Sequence, residues 1–191
     1  MILRPNCKPE QLMHLTCAAG VAMMDAVESA SGLRPQVKWI NDLVIGTKKL
    51  GGILTEMSVD KGIVEYAIIG IGINCLQEAG DFPHEIASIA TSLSQATGRQ
   101  IPPETLAAAM VEALWNMSLG LFAEKAQLMG RYKESCITLG KEIQVIRGDT
   151  VTPGKAVDLD ENGGLLVIYA DGSSQIVSSG EVSVRGMYGY I

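Results

Sequence analysis

The residues best suited to chemistry lie in one stretch, residues 38–56, KWINDLVIGTKKLGGILTE. It gathers Lys38, Asn41, Asp42, Lys48, Lys49, Gly51, Gly52 and Glu56. Lysine is a compact point charge that can meet a phosphoryl group, and glycine lets backbone approach a ligand closely. Aspartate suits Mg2+, which takes carboxylate oxygens, waters and substrate phosphates. The chemistry this favours is the handling of phosphates. The same residues also fit an ordinary β-hairpin with Lys48-Lys49 near its tip and Gly51-Gly52 as a bulge, and the stretch taken alone leaves both readings open.

A second constellation is GIGIN, residues 70–74, where an apolar run ends in two glycines and a carboxamide, Asn74. It is not a dinucleotide fingerprint, because Cys75 stands where the third glycine of GxGxxG belongs, and no stretch fits a P-loop. A nucleotide site here is of neither common kind. Other candidates read as structural. His14 sits on an apolar helix as a core or rim residue, and His84 has no acidic or cysteine partner at motif spacing. Cys7, Cys17, Cys75 and Cys136 match no zinc pattern and pair with no histidine. Met13, Met23, Met24, Met110 and Met117 read as core fillers, and Trp39 as a buried anchor that aims the polar groups beside it.

The elements that must position these residues follow from periodicity. ILRP at the start suits a strand, and residues 12–28 form a helix apolar on nearly every face, hence buried on several sides. Ser29 to Pro35 reads as its exit loop. Strands are expected at 37–39, 43–45, 52–57 and 63–73, antiparallel because the links are short, with a turn at 59–62. Helices are expected at 85–97, ended by Gly98, then at 104–120 and 121–135. From Leu139 the texture changes to short β-prone runs at 142–147, 152–159, 165–169 and 174–177, parted by Gly-Asp, Asn-Gly-Gly and Asp-Gly turns. Such a module, from about 137, is too small to bury much core alone and should lean on the first domain.

Composition narrows the classes further. Hydrophobic residues are 47% of the 191 and charged residues 19%, a folding composition. The net charge of -6 argues against nucleic-acid binding through a basic surface. No apolar run approaches the roughly 20 residues needed to cross a bilayer, and cysteines without CxxC spacing suit free thiols in a reducing compartment. The expectation is a soluble cytoplasmic protein that binds neither DNA nor membrane.

KWINDL at 38–43, KLGGILTE at 49–56 and GIGIN at 70–74 resemble, in order and spacing, the catalytic-domain motifs of biotin protein ligases. ILRP is similar to the family strand ahead of the long helix, and GEVSVRG at 180–186 to the end of the small domain that closes these enzymes. The resemblance implies an α/β (α+β) fold: a class II tRNA-synthetase-like mixed or antiparallel sheet with helices over 1–136, then an SH3-like β domain over 137–191. It implies ATP-dependent formation of biotinyl-5′-AMP and transfer of biotin to a lysine of a biotin carboxyl carrier protein, a subunit of acetyl-CoA carboxylase. The ligands implied are ATP, Mg2+ and biotin. By position, Lys49 and Lys38 would be catalytic, and Lys38, Asn41, Asp42, Lys49, Gly51, Gly52 and Asn74 would bind the cofactors. Asp42 and Asn74 would lie on the metal side. A homodimer is a further implied partner.

Two departures shape the expectation. Ile40 stands where the family has proline, which removes a backbone restraint but no chemical group. Residues 1–11 contain nothing like the family's GRGR loop, which closes over biotin and the adenylate. These 191 residues alone are therefore expected to be a poor ligase. The alternatives that remain are lipoate or octanoate transfer, and a carrier-binding remnant without catalysis.

Overall fold

The computed structural model describes residues 1–178 and the backbone of Ser183–Gly186. The remainder of the expected GEVSVRG strand, residues 180–182, lies outside the described residues, as do 187–191. In chain order, β1 is Ile2–Leu3, α1 Leu15–Ser31, β2 Gln36–Lys38, β3 Asp42–Ile45, β4 Lys48–Asp60 and β5 Ile63–Ile73. Then come α2 Leu93–Thr97, α3 Pro103–Gly120 and α4 Lys125–Ser135, followed by β6 Glu142–Arg147, β7 Thr150–Leu159, β8 Leu165–Tyr169, β9 Ser174–Val177 and β10 Ser183–Gly186.

The first sheet has the order β1-β5-β4-β3-β2, and each neighbouring pair is antiparallel. α1 packs on β3 and β4 from one side and against α3 and α4 from the other. Its sequence demands this, because Leu15 through Met24 are buried without a break. The Thr16 and Thr55 hydroxyls meet at 2.5 Å, which fixes the α1-facing side of β4. Strand alternation then turns Gly51, Ile53 and Thr55 toward α1 and Gly52, Leu54 and Glu56 away from it.

The second sheet runs β10-β6-β7-β8-β9, also antiparallel throughout. It leans on the first part through several specific contacts. Ile137 N–H donates to Val37 O at 2.9 Å, Lys125 Nζ donates to Asn162 Oδ1 at 2.8 Å, and Lys133 pairs with Asp158.

Four expectations need correction. The helix expected over 85–97 is confined to Leu93–Thr97, capped by the Ser92 hydroxyl, which accepts from Gln95 N–H at 3.2 Å. Upstream of Ser92 the backbone is drawn into pairing with Lys49 instead, through Lys49 N–H to Ile89 O at 2.7 Å and Thr91 N–H to Lys49 O at 2.9 Å. Met13 is no core filler: it lies in the link between a 3-10 turn at Pro9–Leu12 and α1, and is 40% exposed. α1 continues to Ser31 rather than ending at 28; Gly32, at φ 76°, closes it by donating to Glu28 O at 2.7 Å. Finally, β4 runs to Asp60, and the turn narrows to Lys61-Gly62, both at positive φ.

Candidate active site

The register of the first sheet assembles the site. Lys38 on β2 pairs with Asp42 on β3, Asp42 with Gly52 on β4, and Gly52 with Gly72 on β5. These four residues form one rung across four strands, on the face turned away from α1. Two ionic side chains thus stand beside two positions with no side chain, so the sheet surface there is cleared for a ligand. Lys49 reaches the same rung from the end of β4: its Nζ lies 2.5 Å from Asp42 Oδ1. A Cβ added at Gly52 would sit 3.6 Å from Lys49 Nζ and 3.5 Å from Asp42 Oδ1. The Asp42 side chain is 15% exposed and that of Lys49 40%, so the ammonium remains open to an incoming anion. Lys38 is buried. Lys48, next to Lys49 in sequence, is exposed and pairs with Ile45 at the hairpin end.

The two adjacent glycines do different work. A Cβ at Gly51 would lie 2.3 Å from Gly72 O, so this position is glycine because β4 and β5 approach too closely for anything else. Gly52 has room for a methyl group and lies on the face turned away from α1, beside Asp42 and Lys49.

The carboxamides are already engaged. Asn41 Nδ2 donates to Ile53 O at 2.9 Å while Ile53 N–H donates to Asn41 O at 2.9 Å, which staples the KWIND segment to β4. Asn74 Nδ2 donates to Thr91 O at 3.0 Å. Behind the rung, the Trp39–Ile40 peptide is cis, and Ile40 O accepts from the hydroxyl of the fully buried Tyr132 at 2.9 Å. Trp39 is buried, with its N–H donating to Thr138 Oγ1 at 2.9 Å and its Nε1 to Gly163 O at 2.8 Å.

The side groups that read as structural in the sequence are placed so. His14 is fully buried, its Nε2 2.8 Å from Leu121 O. All four cysteines are free. Burial pushes the Cys17 and Cys136 thiols up, which keeps them protonated and poor nucleophiles. Among the described residues no cluster of three His, Cys, Asp or Glu could cage a metal. One carboxylate, Asp42, does suit Mg2+ carried in on substrate phosphates, because that ion keeps much of its shell from water and phosphate. Also among the described residues, no helix is long and apolar enough to cross a membrane.

What sequence reasoning missed is the second rank of residues. Thr91, Tyr132, Thr138 and Gly163 hold the motif residues from distant parts of the chain. The one available signal was Trp39, whose indole N–H needs a partner when buried.

A mixed α/β fold of antiparallel sheets and helices, with an ionic rung on the sheet face turned away from α1 and a small C-terminal β domain, is the class that this architecture defines. Residues 1–74 match the Biotin/lipoate A/B protein ligase family, and residues 138–185 match the Biotin protein ligase C terminal domain. The chain belongs to the biotin protein ligase family. It is 48% identical over 101 residues to the bifunctional ligase/repressor BirA of Bacillus subtilis, covering 53% of this chain and 31% of that protein. It is 28% identical over 172 residues to the biotin–[acetyl-CoA-carboxylase] ligase of Mycobacterium tuberculosis, covering 88% of this chain and 61% of that one. Among solved structures, apo biotin protein ligase from Aquifex aeolicus superposes with a TM-score of 0.81 at 27% identity, covering 95% of this chain and 80% of that chain. The same Aquifex protein in complex with biotin and ATP gives a TM-score of 0.77. The chain spans about a third of the length of the Bacillus relatives.

Proposed function

We propose that this chain is an ATP-dependent biotin–protein ligase, built as a catalytic domain over 1–136 and a β domain over 137–191. In the first step a biotin carboxylate oxygen attacks the α-phosphorus of ATP, the bond to the leaving pyrophosphate breaks, and biotinyl-5′-AMP forms. In the second, the amine of a carrier lysine attacks the biotinyl carbonyl, a carbon–nitrogen bond forms, and AMP leaves. The observation that carries this reading is Lys49 Nζ, held 2.5 Å from Asp42 Oδ1 beside the glycine-cleared rung.

Biotin carboxylate and ATP are both anionic, so bringing them together raises Coulomb energy. One unit charge at ~4 Å offsets about 1 kcal/mol in water and about 4 kcal/mol at an effective dielectric near 20. Lys49 is the charge best placed to do this, and its effect grows as negative charge develops on the phosphoryl oxygens. Lys38 shares the rung and is assigned to the ATP phosphates. Asp42, with Asn74 Oδ1, would hold Mg2+, which supplies further neutralisation of the phosphates when bound. Gly52 leaves the strand surface low for biotin, Gly51 lets β4 and β5 close up beside it, and Asn41 fixes the segment that carries Lys38 and Asp42. No covalent enzyme intermediate is needed; orientation and electrostatics suffice.

The match of residues 138–185 to the biotin ligase C-terminal domain favours biotin over lipoate. The partners inferred are a biotin carboxyl carrier protein in the cytoplasm and a second copy of the chain. The latter is supported by the exposed side chains of Val111, Trp115 and Leu119 along one stripe of α3. Pyrophosphate release with biotin and MgATP tests the reading. The chain should form adenylate slowly, since residues 1–11 hold no GRGR-like loop; Lys49→Ala should lower that rate by about two to three orders of magnitude, and Lys48→Ala should change it little. Equal small effects from both lysines would return the segment to an ordinary hairpin, and carrier binding without any adenylate would leave a non-catalytic remnant.

A further inference from the structure

We infer that Asn74 is a positioning residue for Lys49, acting through the segment 89–93; this rests on the reading of Lys49 as the catalytic cation. β5 ends at Ile73, opposite Gly51, so it cannot hold the first residues of β4. There the segment 89–91 takes over the edge. Lys49 N–H donates to Ile89 O at 2.7 Å, and Thr91 N–H donates to Lys49 O at 2.9 Å. Lys49 and Ala90 form an isolated parallel bridge. On its other edge Lys49 pairs with Val44 of β3. The backbone that carries the catalytic ammonium is therefore clamped from both sides.

The outer half of that clamp has little regular structure of its own, since turns fill 84–89 and Ile86 is 42% exposed. Asn74 supplies what holds it. Its N–H donates to Leu50 O at 2.9 Å, its carbonyl accepts from Leu93 N–H at 3.0 Å, and its Nδ2 donates to Thr91 O at 3.0 Å. One residue thus bonds β4 next to Lys49 and the segment that pairs with Lys49. The side-chain donor is the part a substitution can remove. A carbonyl such as Thr91 O in a buried residue is costly to leave unpaired, so losing Nδ2 should let the segment move off Lys49.

A ligand role and a positioning role for Asn74 differ in which atom matters. Asn74→Asp keeps an oxygen for metal or nucleotide but removes the donor; Asn74→Ala removes both. Amide hydrogen exchange in the intact chain and adenylate formation are the two measurements. We expect both variants to speed exchange at the Lys49 and Thr91 amides at least about tenfold while Ile69 in β5 stays protected. We also expect both to lower kcat between about tenfold and a hundredfold. In a Lys49→Ala background, Asn74→Asp, which keeps the oxygen and removes only the donor, should add almost nothing, the non-additivity expected of residues acting in series. Wild-type kcat in Asn74→Asp, additive losses in the double variant, or unchanged exchange at Lys49 would each overturn the inference. A wild-type chain that forms no adenylate would sink the ligase reading instead, and hydrogen exchange would still decide whether Asn74 locks the segment.

Discussion

Trp39 Nε1 donates to Gly163 O at 2.8 Å, joining the segment that carries Lys38 and Asp42 to a loop of the C-terminal β domain. That loop is shaped by Asp160, whose Oδ1 accepts from the N–H groups of Asn162 at 2.8 Å and Gly164 at 2.7 Å. Gly163 is at φ 88° and packs so tightly that an added Cβ would lie 2.7 Å from Cys17 Sγ on α1. The β domain is thereby pinned against both the motif segment and the central helix. Trp39→Phe removes the donor and shrinks the ring, leaving Gly163 O unpaired and a cavity in a buried site, so it should lower stability by at least about 1–3 kcal/mol. Urea unfolding followed by circular dichroism measures that. Gly163→Ala should cost more, since both the positive φ and the contact with Cys17 oppose a side chain.

The glycine pair offers a separation of fold from chemistry. Gly51→Ala places a methyl group 2.3 Å from Gly72 O, so the strands must part. The expected result is poor folding or a large drop in the thermal midpoint. Gly52→Ala meets only the ends of Asp42 and Lys49 at 3.5 and 3.6 Å, so it should fold normally. Its penalty should fall on substrate binding, read as a weaker affinity for biotin by isothermal titration.

Self-association should run through α3. Val111, Trp115 and Leu119 are 69%, 61% and 69% exposed, four residues apart on one stripe. An antiparallel pair centred on Trp115 would set Val111 of each copy against Leu119 of the other, which makes the stripe complementary to itself. A large aromatic contributes about 150–250 Å² of burial toward the roughly 800 Å² per partner of a stable interface. Sedimentation equilibrium should show a dimer that Trp115→Glu converts to monomer, with adenylate formation retained. A wild-type chain monomeric at high micromolar concentration would exclude this interface.

The legible part of this molecule was what local pattern encodes. Continuous β-prone runs and short links gave β2 through β5, and the unbroken apolar run gave α1 with burial on several sides. Turn pairs after Leu139 gave the second sheet. The motif residues were visible as types at fixed spacing, and the register then brought Lys38, Asp42, Gly52 and Gly72 onto one rung. What could not be read was pairing over long separations. Ile86, Ile89, Ala90 and Leu93 repeat at helical spacing, yet the backbone around Ala90 is recruited as an edge for Lys49, and tertiary hydrogen bonds outweigh the weak helical preference. Tyr132, Thr138 and Gly163 carry no local mark of their contacts, because each acts on a residue about a hundred positions away.

Acid should destabilise the fold through His14. His14 is fully buried at the start of α1, with Nε2 2.8 Å from Leu121 O and Nδ1 without a partner among the described residues. Burial lowers its pKa below the ordinary value of 6.5, and the nearby Lys125 charge acts in the same direction; the Leu121 carbonyl opposes them. The neutral ring donates from Nε2, and a proton on Nδ1 would be a buried charge with nothing to accept it. In the unfolded chain the ring titrates near 6.5. Below that pH the unfolded state therefore binds more protons than the folded one, and stability must fall with pH until the folded pKa is reached. Above about pH 8 the ring contributes almost no pH dependence. Unfolding free energies measured from pH 7.5 to 5 should decline for the wild-type chain, and the decline should be shallower in His14→Gln, which cannot take up the proton. His14→Gln should also be less stable at pH 7.5, because the Leu121 contact is remade imperfectly. Equal pH slopes in the two proteins would show that His14 protonates in the folded state at its ordinary pKa.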